Sequence, residues 1–84
     1  MSLLKYVARV KRMDDLIRRK ATGTPDEFAQ RLGISKSMLM LNLMELKQLG
    51  APVKFSHIEQ TYYYENNGRF ILQFESINQN VLEN

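Results

Sequence analysis

The spacing of apolar residues changes once along this chain of 84 residues, and the change comes after Gly50. Before Gly50, apolar residues recur every three or four positions, which is the period of an amphipathic helix. After Gly50 they alternate with polar residues, which is the pattern of a strand with one buried face. This order predicts an α+β fold in which the helices come first and an antiparallel sheet follows.

The first predicted helix covers about residues 3–20. Its apolar stripe consists of Leu3, Tyr6, Val10, Met13 and Ile17. Asp14 and Asp15 are each followed by an arginine four residues later, an order that stabilises a helix. The two carboxylates are therefore predicted to form ion pairs, and a catalytic carboxylate pair is the weaker interpretation because adjacent helical residues point in different directions.

Two further helices are predicted before Gly50 from their end signals. The second begins at Thr24-Pro25-Asp26-Glu27, which supplies an N-cap, a proline at the first position and a capping-box glutamate. It is about eight residues long and ends at Gly33, where a sharp turn requires a flexible backbone. The third follows the N-cap Ser35 and spans residues 36–49. Its core stripe consists of Leu39, Leu43 and Leu46.

Three strands are predicted after the helices, at residues 53–55, 61–65 and 70–75. Residues 57–60 would form the first turn. Asn66-Asn67-Gly68 would form the second, because Asn-Gly accepts a positive φ. The residues of the third strand predicted to face the core are Phe70, Leu72 and Phe74. The predicted domain spans residues 1–75, and the polar residues 76–84 are expected to form a flexible tail.

Positive charge is concentrated at the beginning of the chain. Residues 1–20 contain seven Lys or Arg and two Asp, whereas residues 21–84 contain five basic and seven acidic residues. The first helix therefore carries the excess that gives a formal net charge of +3. Its basic side chains either contact phosphates or form an ordinary solvated helix face, and the sequence supports both interpretations equally.

The composition argues against an enzyme and against a cofactor, metal or small-molecule site. The chain has no cysteine, and its single histidine, His57, has no recognisable catalytic partner. Its glycines are dispersed among helix ends and turns, so no phosphate-binding loop is expected. No apolar run approaches the roughly 20 residues of a membrane-spanning helix, and a cytoplasmic location is expected.

Three segments together resemble a known bacterial family. They are residues 24–37 (TPDEFAQRLGISKS), 45–53 (ELKQLGAPV) and 61–64 (TYYY). In these segments the chain resembles the N-terminal winged helix-turn-helix module of DeoR-type and WYL-domain transcriptional regulators and of the biotin-operon repressor. The resemblance covers most of residues 4–75. It implies a winged helix-turn-helix fold, three helices followed by a three-stranded antiparallel sheet, that binds double-stranded DNA.

The resemblance also implies which residues contact the DNA. The third helix would lie in the major groove, and the hairpin after it would hold phosphates as a wing. Carried over by position, the DNA-contacting residues are Ser35, Lys36, Ser37, Met38, Met40 and Leu41 on the third helix, with Lys54 and His57 on the wing.

The third helix departs from this family in its chemistry. The groove-facing positions usually include several Arg, Thr or Tyr residues, whereas here three of them are Met38, Met40 and Leu41. With Met44, they make the helix apolar nearly all round, and such a helix is normally covered. The alternative hypothesis is therefore a protein-interaction module. A homodimer is compatible with either function, since a small module needs a partner to cover a specific DNA site. Met40 and Leu41 would either contact thymine methyl groups or be buried against a second copy, and the number of exposed apolar side chains favours the second copy.

Overall fold

The computed structural model describes residues 2–77. In chain order, its elements are α1 (Leu3–Arg18), α2 (Pro25–Leu32), α3 (Lys36–Gln48), β1 (Val53–Ser56) and β2 (Thr61–Tyr64). The described fold is thus α+β, with three helices followed by a two-stranded antiparallel sheet. The three predicted helices are confirmed to within two residues at each end. Of the predicted tail, residues 78–84 lie outside the described range.

The beginning of α2 is fixed by a reciprocal pair of hydrogen bonds. The Thr24 side chain accepts a bond from the Glu27 N–H, and the Glu27 carboxylate accepts one of 2.8 Å from the Thr24 N–H. These bonds lower the pKa of Glu27 because they favour its charged form. The predicted capping box is therefore confirmed, as is Ser35, whose hydroxyl caps α3 by accepting a bond from the Met38 N–H.

Gly33 forms the turn between α2 and α3 in the left-handed conformation, with φ of 69°. We expect Gly33→Val to lower the free energy of unfolding by about 1–2 kcal/mol, because a β-branched residue is strained there. A Cβ added at Gly33 would meet no atom within 4 Å, so backbone strain is the main expected cost. Urea denaturation measures the change in the free energy of unfolding. Gly33→Asn is the control, since asparagine tolerates this conformation, and an unchanged valine variant would contradict the prediction.

The core lies where the three helices meet the inner face of the sheet. Its most buried side chains include Phe28, Met13, Ile17 and Leu39. The predicted stripe of α3 is buried as expected. The stripe of α1 is buried only in its second half, because Leu3 is 78% and Tyr6 38% exposed. The first two turns of α1 therefore extend beyond the core.

The predicted third strand is wrong. Residues 70–75 form no strand, Phe74 is 95% exposed instead of closing the core, and Phe70 and Leu72 are half-buried. Gly68 does not adopt the positive φ expected of a hairpin turn. By contrast, the first turn is confirmed, with β1 and β2 paired in register from Val53 and Tyr64 to Ser56 and Thr61.

Contacts of the outer edge of β2 explain why no strand adds there. The Tyr62 N–H donates to Thr22 Oγ1 at 2.8 Å, and the Thr22 N–H donates to Thr61 Oγ1 at 3.3 Å. Thr22 lies in the connection between α1 and α2, so this connection covers the edge that a third strand would need.

Asp14 joins three parts of the fold. Its buried carboxylate accepts bonds from Arg18 Nε at 3.0 Å, the Tyr64 hydroxyl at 2.7 Å and the Phe70 N–H at 3.1 Å. The predicted pair with Arg18 is thus confirmed. The other two bonds hold β2 and the segment after it against α1.

Burial, aided by the hydrogen bond to Asp14, raises the pKa of Tyr64 well above its usual value near 10. The unfolded chain therefore releases this proton first, and stability should fall as the pH rises above about 10. We expect Tyr64→Phe to be less stable at pH 8, because it lacks the bond to Asp14, but to lose less stability between pH 10 and 11. Urea denaturation across this range measures both effects. Equal losses in the two proteins would contradict the prediction.

Candidate functional site

The predicted contact residues of α3 lie together, with one exception. Lys36 and Ser37 are exposed in the first turn after the capping residue Ser35. Met40 and Leu41 are 39% and 44% exposed. Met38, the exception, is half-buried and its sulfur accepts a bond of 3.8 Å from the Asn42 amide. Met38 is therefore less accessible than Met40 and Leu41, and its one hydrogen bond is made within α3.

The exposed side of α3 is mainly apolar. It is formed by Ser37, Met40, Leu41, Met44 and Gln48, which we call the α3 outer face. Met44 is 50% exposed, so three large apolar side chains lie on this face in contact with solvent. The opposite side of the helix is buried. Of the four residues expected to form an apolar outer face, Met40, Leu41 and Met44 are therefore exposed and Met38 is not.

A network of polar side chains fastens α1 to α3. The Tyr6 hydroxyl donates to Glu45 Oε1 at 3.0 Å, and Arg9 donates to Asn42 Oδ1 at 3.2 Å. The Asn42 amide also donates to Glu45 Oε1 at 3.3 Å. The bond to Glu45 raises the pKa of Tyr6. Arg9 follows Tyr6 in α1, whereas its partner Asn42 precedes Glu45 in α3. The two helices therefore run antiparallel along this contact.

Asn42 was missed in the sequence analysis. It is 4% exposed, and its amide is fully engaged by Arg9, Glu45 and Met38. The sequence does contain a signal for Asn42. A polar residue between Leu39 and Leu43, on the core side of a helix, needs hydrogen-bond partners. The identity of those partners depends on the antiparallel contact with α1, and this contact is absent from the local pattern.

Basic side chains border the α3 outer face on both sides. At 100° per residue, Lys36 and Lys47 fall on one row, opposite the side on which Asn42 and Glu45 contact α1. Lys36 also pairs with Asp26 at 3.4 Å, but both side chains are mostly exposed. Such a pair contributes little to stability, and Lys36 can readily exchange Asp26 for another anion.

The second basic border comes from α1. Lys5, Arg9 and Arg12 share one face of that helix because they are spaced by four and three residues. Since Arg9 contacts Asn42, this face lies beside α3. Lys5 and Arg12 are exposed and form no ion pair with another residue in the range 2–77. The apolar outer face therefore lies between two basic rows.

The two predicted hairpin residues lie on β1 and in the turn that follows it. Lys54 is exposed on β1 opposite Tyr63 of β2, and exposed His57 packs edge-on against Phe55 with ring centroids 5.1 Å apart. Within the described residues, neither side chain forms a hydrogen bond or ion pair with α3. At the hairpin tip, Glu59 approaches Lys20, two residues after the end of α1, to 3.8 Å.

No group of three or more His, Cys, Asp and Glu side chains within residues 2–77 is arranged to hold a metal ion. Every helix within residues 2–77 is too short or too polar to span a bilayer. Comparison with family models, curated proteins and solved structures finds no match to this chain.

Proposed function

We propose that this protein is a DNA-binding transcriptional regulator with a winged helix-turn-helix fold. In this proposal α2 and α3 are the helix-turn-helix, α3 is the recognition helix, and the β1–β2 hairpin is the wing. The observation that carries the proposal is the α3 outer face between two basic rows. The resemblance to DeoR-type and WYL-domain regulators supports the same function.

The two basic rows match the arrangement of charge around a major groove. The groove is about 12 Å wide and is bordered by two phosphate backbones, whereas a helix with its side chains is about 10–12 Å in diameter. With α3 in the groove, Lys36 and Lys47 would face one backbone. Lys5 and Arg12 would face the other. This placement gives the basic residues of α1 a role as phosphate contacts.

Fluorescence anisotropy with a labelled duplex tests the proposal. Arg12→Glu and Lys11→Glu form a matched pair, because they make the same charge change at adjacent positions on different faces of α1. Lys11 lines a groove with Asp14, Arg18 and Arg69, away from α3. We expect Arg12→Glu to weaken binding about tenfold or more, and Lys11→Glu to have a much smaller effect.

A second pair of substitutions tests the opposite border. Lys36→Glu combined with Lys47→Glu should weaken binding to all duplexes alike, because phosphate contacts contain no sequence information. Circular dichroism checks that the variants remain folded. If the unaltered protein fails to bind duplex DNA at low salt, the proposed function is wrong.

A protein-interaction module is the second candidate function. It is favoured by the exposure of Met40, Leu41 and Met44, since methionine-rich surfaces adapt well to protein partners. In that case Met40→Ala with Leu41→Ala should reduce self-association, measured by light scattering on dilution, and charge reversal of Arg12 should leave it largely unchanged.

A further inference from the structure

We propose that the α3 outer face recognises the C5-methyl groups of pyrimidines in the major groove. This inference rests on the proposed DNA-binding function and specifies the ligand chemistry of the same surface. Thymine and 5-methylcytosine both present this methyl group, whereas uracil and cytosine lack it. The shared ligand is thus a C5-methylated pyrimidine in a duplex.

The composition of the α3 outer face favours methyl groups over polar base edges. Met40, Leu41 and Met44 occupy its centre and are 39%, 44% and 50% exposed. None of these side chains has a strong hydrogen-bonding group, so none pairs well with the donors and acceptors of the groove. The methyl group at C5 is the apolar feature that a pyrimidine displays there.

The polar side chains beside this face are already engaged within the protein. An asparagine in a recognition helix can read adenine, but Asn42 is 4% exposed and its amide bonds to Arg9, Glu45 and Met38. A glutamate can accept a bond from cytosine, but the same oxygen of Glu45 already accepts bonds from Tyr6 and Asn42. Direct readout at the centre of this face is therefore left to the apolar side chains, while the polar Ser37 and Gln48 lie at its two ends.

Charge complementarity supports DNA as the occupant of this face. The apolar centre is bordered by Lys36 and Lys47 on one side and by Lys5, Arg9 and Arg12 on the other. A second copy would bring like charges together along both borders, which disfavours pairing of two such faces. A DNA groove instead presents a phosphate backbone to each border.

Three duplexes of one mixed sequence test the proposal on the unaltered protein. The first contains thymine and cytosine, the second uracil and cytosine, and the third uracil and 5-methylcytosine. We expect the second to bind about tenfold more weakly than the first, because contacts to several methyl groups are lost together. The third should regain affinity. Weaker binding of the second identifies thymine as a source of the methyl group, and the regain identifies 5-methylcytosine as another.

Substitutions locate the effect on the α3 outer face. Met40→Ala with Leu41→Ala should remove most of the discrimination between thymine and uracil duplexes. Leu49→Ala is the control, because Leu49 is 72% exposed but lies outside this face. A double variant that keeps full discrimination would overturn the assignment to α3.

Equal affinity for all three duplexes would overturn methyl recognition and leave DNA binding intact. Absence of binding to every duplex would overturn both. A protein that is dimeric before substitution and becomes monomeric in the Met40→Ala, Leu41→Ala variant would show that a second copy covers this face, which also overturns the inference.

Discussion

Replacing Asp14 with alanine is expected to lower the free energy of unfolding by roughly 2–4 kcal/mol. The Asp14 side chain is 5% exposed and accepts bonds from Arg18, the Tyr64 hydroxyl and the Phe70 N–H. Alanine would leave these donors without their acceptor in a partly buried site. It would also release the contact that holds the segment beginning at Phe70 against α1.

Asp15→Ala is the matched control for this prediction. Asp15 is adjacent in sequence and also pairs with arginines, at 2.8 Å to Arg19 and 3.7 Å to Arg18, but its side chain is 46% exposed. Exposed pairs of this kind contribute at most about 1 kcal/mol. Urea denaturation at pH 7 compares the two variants. Equal destabilisation by both would show that burial and the long-range bonds of Asp14 contribute nothing.

Local sequence signals predicted the helices well because their causes are local. Thr24, Glu27 and Ser35 cap backbone groups within three residues, and Gly33 adopts the left-handed conformation that its turn requires. For Asp14, only the hydrogen-bond partner that lies close in sequence could be predicted. Its partner Arg18 is four residues away and was predicted, whereas Tyr64 is 50 residues away and was not.

The wrong prediction of a third strand has a non-local cause. Residues 70–75 alternate between apolar and polar as a strand would, but alternation does not show whether a sheet edge is available. The edge of β2 is covered by Thr22, and the Phe70 N–H bonds to Asp14. Two contacts far apart in sequence thus prevent the strand that the local pattern favours.

The candidate site was predictable only in part. The apolar face of α3 follows from the spacing of Met40, Leu41 and Met44 around a buried stripe. The basic border formed by Lys5 and Arg12 depends on how α1 crosses α3, which the contact between Arg9 and Asn42 establishes. The basic residues of α1 were visible in the sequence, but their position beside α3 was not.

Affinity for duplex DNA is expected to fall roughly 50- to 100-fold between about 50 and 200 mM salt. Each phosphate that a cation neutralises releases condensed counterions and contributes about −0.9 to the slope of log affinity against log salt. Three or four contacts from the two basic rows would give a slope of about −3. Few base-reading side chains are available on α3 to supply affinity that is independent of salt.

The slope itself distinguishes this surface from other basic residues of the chain. Anisotropy titrations at four or more salt concentrations measure it for the unaltered protein and for single variants. Lys36→Ala or Arg12→Ala should reduce the magnitude of the slope by about 1 each, because each removes one phosphate contact. Lys11→Ala should leave the slope unchanged, since Lys11 lies on the side of α1 away from α3. A slope near zero, or one that changes only with Lys11→Ala, would contradict the placement of α3 between two phosphate backbones.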